Sequence, residues 1–199
     1  MSAPSWTAPD GIAALIFDCD GTIADTMPAH FRAWTEMLAP FGIPFPEARF
    51  YAMGGMPTDR IIALLAADVG VVVSDVAAMA AEKERLFLQH IDDVAPIVPV
   101  VNVAAAYRGR MPMAVASGGY RDVVERTLER LAVRSWFMTL VAAEDTVRHK
   151  PEPDVFLEAS RRLEVAPSRC AVFEDTDLGL EAARRAGMAG IDVRPWGKC

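Results

Sequence analysis

Five short apolar runs constrain this chain more than any other feature: Ala13–Phe17, Met113–Ala116, Met138–Val141, Cys170–Phe173 and Gly190–Val193. Each is continuous rather than alternating, as a strand becomes when both of its faces are covered. Amphipathic segments separate them. One carries Val123, Val124, Thr127, Leu128 and Leu131 on a single face, and one opens at Pro153 and carries Val155, Phe156, Ala159 and Leu163. A third, Leu178–Ala186, is stopped by Gly187, a residue suited to the position after a helix. Repeated strand–helix–strand units predict an α/β fold, a doubly wound, mostly parallel five-stranded sheet.

One gap breaks the rhythm. The stretch from Asp18 to Met111 is far longer than a single crossover helix requires. Helices are predicted near Pro28–Leu38, Asp59–Ala67 and Asp75–Ile91, then a proline-marked link at Pro96 and Pro99, and a further helix at Val100–Tyr107. The chain therefore divides into a core of residues 1–25 and 97–199 and a helical insert of residues 26–96.

Composition limits the partners. With 20 basic and 27 acidic residues in 199, the net charge of −7 leaves no basic surface of the kind nucleic acid needs. It does not exclude an anionic small molecule, because local charge and metals decide that. No apolar stretch approaches the roughly 20 residues that span a bilayer, and Met1–Asp10 has neither a basic residue nor an apolar segment of the export type. Three cysteines, Cys19, Cys170 and Cys199, show no CxxC spacing, which fits a reducing compartment without disulfides or a zinc site. A cytoplasmic monomer is the expectation.

The chemistry gathers where the apolar runs end. Asp18 and Asp20, in Ile16-Phe-Asp-Cys-Asp-Gly-Thr22, follow the first run. Two carboxylates there are costly unless paired or metal-bound, and they suit a hard cation such as Mg²⁺. Asp-Gly is also ordinary turn chemistry. Ser117-Gly-Gly119 ends the second run, Lys150-Pro151 follows the third, and Glu174-Asp175 ends the fourth. Each has a plain structural alternative: Ser117 and the acidic pair as helix caps, Lys150 as a solvated loop charge. In open α/β sheets, however, ligands bind outside the carboxyl ends of the strands, and all four groups belong to that rim.

Taken in order, Asp18-x-Asp20-Gly-Thr, Ser117, Lys150-Pro-x-Pro-Asp154 and Phe173-Glu-Asp-x-x-x-Gly179 resemble the four motifs of the haloacid dehalogenase (HAD) superfamily over nearly the whole chain. The insert occupies the position of that superfamily's helical type-1 cap. His30-Phe-Arg-Ala-Trp34 is similar to a segment of the β-phosphoglucomutase-like branch. Pro112-Met-Ala-Val and the Phe173-Glu-Asp-x-Asp-x-Gly-x-x-Ala-Ala stretch most resemble that branch's bacterial phosphatases of fructose 1-phosphate or 6-phosphogluconate.

The resemblance implies an Mg²⁺-dependent phosphatase of small phosphorylated sugars. Asp18 is then the nucleophile that becomes an aspartyl-phosphate, and Asp20 the general acid and base. Ser117 and the Gly118 amide donate to phosphoryl oxygens, and Lys150 supplies positive charge. The metal is held by Asp18, the Asp20 backbone carbonyl and Asp175, with Glu174 close behind. Thr22 positions the first loop. His30, Thr58 and Lys83 are the insert's candidates for substrate contact, with a helix-surface histidine the alternative for His30. Cys19 is read as a small apolar filler and Trp34 as packing.

A mutase is the competing activity. Mutases of the branch carry an insert arginine in a Gly-x-x-Arg arrangement, whereas Gly55-Met-Pro-Thr58 places threonine there, and Lys83 matches a mutase lysine. A signalling receiver fits poorly, because its acceptor aspartate follows the third strand rather than the first. A catalytically dead binding module is disfavoured because no motif residue is missing.

Overall fold

The computed structural model describes residues 6–197; Lys198 and Cys199 lie outside the described residues. In chain order the elements of the first part are β1 (Ala14–Phe17), β2 (Ala24–Asp25), α1 (Met27–Leu38), α2 (Glu47–Ala52), α3 (Thr58–Asp68) and α4 (Val76–Gln89). There follow β3 (Ala95–Pro96), α5 (Val98–Tyr107), β4 (Met113–Ala116), α6 (Arg121–Arg130), β5 (Thr139–Val141), α7 (Asp154–Arg162), β6 (Cys170–Glu174), α8 (Asp177–Arg185) and β7 (Ala189–Asp192). The described residues form two compact units: one holds residues 6–25 and 95–197, the other Thr26–Val94.

The first unit is built on a five-stranded, wholly parallel sheet of order β5-β4-β1-β6-β7. The predicted runs match its strands to within one residue at each end. The central position of β1 explains its composition: flanked by β4 and β6 and covered on both faces, Ala14 to Phe17 are fully buried. Alternate side chains serve opposite faces. Ala14, Ile16, Ala114, Ala116, Val141 and Val172 pack with Val155, Phe156 and Ala159 of α7 and Ala182 and Ala183 of α8. On the other face Phe17 stacks on Phe173 at 4.6 Å, and Trp6 bridges Phe173 to Tyr107 of α5. Beyond the sheet, β2 and β3 form a short antiparallel pair, Ala24 opposite Pro96.

The second unit holds α1 to α4. Its core is formed by the buried faces of α1 (Ala29, Ala33, Trp34, Met37, Leu38), α3 (Ile61, Ile62, Leu65, Ala66) and α4 (Met79, Ala80, Leu86, Phe87).

Two local expectations are corrected. The insert contains a helix the periodicity did not signal, α2, whose six residues bury only Phe50 and are too short to show a face. Leu131, expected on the face of α6, is the residue after that helix and is half-buried.

Truncating the central strand tests the two-faced core. Ile16→Ala removes a fully buried side chain and is expected to cost about 2–5 kcal/mol in urea unfolding. Val147→Ala, at a position 93% exposed, is expected to change stability by less than ~0.5 kcal/mol.

Candidate active site

The register of the sheet brings the acids together. Phe17 pairs with Phe173 across β1 and β6, so the next residues, Asp18 and Glu174, stand side by side where both strands end. The Asp18 amide continues the ladder, donating to the Phe173 carbonyl at 3.0 Å. Neighbouring strands lie about 4.8 Å apart, so two carboxylates at this point are forced close. Both are buried, Asp18 at 5% and Glu174 at 0% exposure.

Lys150 makes this arrangement tolerable. Its ammonium donates to Asp18 Oδ1 at 2.6 Å and to Glu174 Oε2 at 2.7 Å, and its side chain is only 7% exposed. Burial alone would drive this amine toward neutrality, but the two carboxylates hold it protonated, above the ordinary lysine range. The reading of Lys150 as a solvated loop charge is thereby excluded.

The rest of Glu174 is equally bound. Oε1 accepts from the Asp175 amide (3.1 Å), the Thr176 amide (2.9 Å) and the Thr176 hydroxyl (2.8 Å). Thr176 in turn caps α8 by accepting the Gly179 amide at 3.0 Å. The cap of α8 is therefore Thr176, not the acidic pair. A Cβ on Gly179 would stand 2.0 Å from the Glu174 carboxyl carbon, so only glycine leaves room for this carboxylate. Asp175 lies beyond, accepting from the Thr22 hydroxyl at 2.9 Å. Gly21, at φ +78, passes so near that a Cβ there would sit 2.1 Å from Asp175 Oδ2.

Ser117 directly follows β4, bonding through its amide to the Val141 carbonyl at 3.0 Å. Its hydroxyl is not a helix cap: it accepts the Gly119 amide at 3.0 Å, and the residue before α6 is Tyr120. A Cβ built on Gly119 would lie 3.4 Å from Ser117 Oγ and 3.5 Å from Asp20 Oδ2, so the second aspartate reaches the Ser117 loop. The Gly118 amide makes no hydrogen bond within the described residues and is exposed. Cys19 is fully buried, its thiol pushed well above the ordinary value chiefly by desolvation. It is filler, and inert.

Oxygen atoms of Asp18, Glu174 and Asp175 lie within 4.8 Å of one another. An all-oxygen, carboxylate-rich donor set fits Mg²⁺. The electrostatics agree. Burial first, and then the neighbouring carboxylates, push Asp18 well above the usual range and Asp175 up to about 7. One ammonium does not neutralise this many acids, and a divalent cation would.

In the helical unit, His30 and Lys83 meet each other. The Lys83 ammonium lies 2.9 Å from His30 Nδ1 and 3.0 Å from Glu84 Oε1, near the rings of Trp34 and Phe87. His30 is stacked on Phe87 at 4.0 Å and is buried, not a surface histidine. Thr58 opens α3, half-buried and with no side-chain hydrogen bond among the described residues. Sequence reasoning missed Thr176, although a threonine three residues before Gly179 at a helix start is the pattern of an N-cap.

A chain with this sheet order and this acidic centre is a haloacid dehalogenase-like hydrolase. The profile of that family matches residues 12–187, and the chain belongs to it. Among its relatives is a fructose-1-phosphate phosphatase of Escherichia coli, 43% identical over 187 residues, covering 92% of this chain and 96% of that one. A β-phosphoglucomutase of Bacillus subtilis is 27% identical, covering 90% and 82%. The CbbY protein of Rhodobacter sphaeroides, solved in complex with phosphate, superposes with a TM-score of 0.82 at 27% identity, covering 91% of this chain and 85% of that one.

The raised carboxyls give a signed prediction. A carboxyl whose folded pKa is raised destabilises the metal-free protein when ionised, and this is relieved as pH falls through about 7 for Asp175. A cation binding the ionised form must compete with that proton. The rise in Tm on adding Mg²⁺ to EDTA-stripped protein is therefore expected to be larger at about pH 8 than at about pH 6. An equal or larger rise at the lower pH would count against a metal on these acids.

Proposed function

We propose that this chain is an Mg²⁺-dependent phosphatase of small phosphorylated sugars, acting through an aspartyl-phosphate on Asp18. The observation that carries the reading is the Asp18 carboxylate at the end of the central strand, held at 2.6 Å by a buried lysine with Glu174 and Asp175 alongside. The extensive likeness to a fructose-1-phosphate phosphatase supports the substrate class.

The metal would be held by Asp18, Asp175 and the Asp20 backbone carbonyl, with Glu174 behind. Bound there, Mg²⁺ supplies the charge neutralisation that lets a carboxylate approach an anionic phosphate. Ser117 and the Gly118 amide donate to phosphoryl oxygens, and Lys150 aims Asp18 and favours its ionised form against burial. An Asp18 oxygen attacks phosphorus, the phosphorus–sugar oxygen bond breaks, and Asp20 gives its proton to the departing alkoxide. Asp20 then takes a proton from water, whose oxygen attacks phosphorus and breaks the bond to Asp18, releasing phosphate. Thr22 steadies Asp175. His30, Lys83 and Thr58 are the helical unit's candidates for substrate recognition.

No described helix is long and apolar enough to cross a membrane. The enzyme works on a soluble substrate, as a cytoplasmic monomer.

The test is a phosphate-release screen over sugar phosphates with Mg²⁺ and with EDTA. Asp18→Asn is expected to abolish turnover with Tm nearly unchanged, and activity within a few-fold of wild type would remove Asp18 from its role. Asp20→Ala is expected to slow turnover by roughly 10²–10⁴-fold. Because Thr58 stands where mutases carry a phosphate-gripping arginine, β-glucose 1-phosphate primed with glucose 1,6-bisphosphate is expected to give free phosphate faster than glucose 6-phosphate. The reverse would make the enzyme a mutase.

A further inference from the structure

A second charged cluster lies two strands from β1, after β5, where a single 3₁₀ turn spans Ala143–Asp145. The Asp145 carboxylate accepts the Ala142 amide and the Arg162 guanidinium of α7, each at 2.8 Å, and pairs closely with the Arg121 guanidinium at the start of α6. Arg162 also donates to the Leu140 carbonyl at 2.9 Å. Partial burial would raise this carboxyl, but its amide and arginine donors hold it below the usual range. These pairs join residues 17 and 24 positions apart, so they fasten separate elements rather than decorate one helix.

What they fasten is the loop between β4 and α6. Arg121 follows that loop, and its own amide is shared by both Glu144 oxygens at 3.1 Å. Inside the loop, the Gly119 carbonyl accepts the Ala143 amide at 3.0 Å, and at its start Ser117 is bonded to Val141. Between these ties lies Gly118, whose amide is open. Two successive glycines have more conformational freedom than any other pair, so nothing within Gly118-Gly119 itself would hold that amide in one direction.

We propose that Asp145 is a positioning residue: with Arg121 and Arg162 it clasps the β4–α6 loop to the end of β5, and so aims the Ser117 hydroxyl and Gly118 amide at the phosphoryl group. The inference rests on the phosphatase reading for its ligand but on the loop's own bonds for its geometry. Donors to a transferring phosphoryl group act only when already in place, and displacement by about 1 Å can cost ~10²-fold.

Asp145→Asn keeps the side chain's size but loses the charge that gathers both guanidiniums. It is compared with wild type and with Val103→Ala. Val103 is a buried side chain of α5 and makes no part of either loop or of the arginine pairs. Three quantities are read: Tm, amide hydrogen exchange of the segment 117–121, and kcat and KM for fructose 1-phosphate with Mg²⁺ well below the variants' Tm. Asp145→Asn is expected to speed exchange in 117–121 by about tenfold or more and to lower kcat/KM by roughly 10–100-fold. Val103→Ala is expected to lower Tm while leaving both of the others unchanged. Arg121→Lys, which keeps the charge but loses the fork, carries the same expectation as Asp145→Asn should the latter not fold. Unchanged exchange in 117–121, kcat/KM within about twofold of wild type, or an equal loss in Val103→Ala overturns the clasp. A wild-type enzyme that releases phosphate from no sugar ester would instead overturn the phosphatase reading, and the exchange measurement alone would then decide the clasp.

Discussion

One ammonium, Lys150 Nζ, stands between two buried carboxylates, and the polar end of the sheet is organised around it. At such burial Asp18 is driven toward its neutral form, and the lysine opposes this. Removing the lysine would leave both buried carboxylates without their cation, a kind of loss that typically costs about 3–5 kcal/mol, so Lys150 is a condition of the fold at this rim. It also leaves the centre short of positive charge. Asp175, pushed up to about 7 by burial and by Glu174, registers that shortage directly. The same imbalance that strains the metal-free state makes the centre receptive to a divalent cation.

The sheet delivers these groups with little dependence on loops. Asp18 and Glu174 are neighbours because Phe17 and Phe173 are paired one residue earlier. Ser117 is placed by the same kind of step, its amide extending the ladder to Val141. Lys150 arrives from a longer connection and is fixed by the bonds it makes to the acids. Residues from distant parts of the chain thus meet at positions set by strand register, which is stiff, and are trimmed by side-chain bonds, which are adjustable.

The strands were legible because a strand covered on both faces must be continuously apolar, and every predicted run became one. The motif residues were legible because each sits where such a run ends. The short helix α2 was not, since burying Phe50 alone leaves no periodic trace. His30 could be read as surface or site from its position in α1. Its actual environment depends on Lys83, 53 residues away, and on Phe87, which no local pattern reveals. The Asp145 cluster was silent for the same reason: acids and arginines are plentiful in this chain, and only tertiary structure shows which of them meet. Lys150 shows the reverse, a loop residue by sequence that becomes one of the most enclosed charges once the chain is folded.

Gly179 carries a consequence for how this protein could change over time. A glycine inside a helix costs about 0.5–1 kcal/mol relative to alanine, and helical glycines are therefore among the first positions that selection for heat tolerance, or a designer seeking it, would replace. Here the added methyl group would occupy the space of the Glu174 carboxylate. The stability surrendered in α8 is inseparable from the site, and routes to a more robust enzyme must pass through other residues.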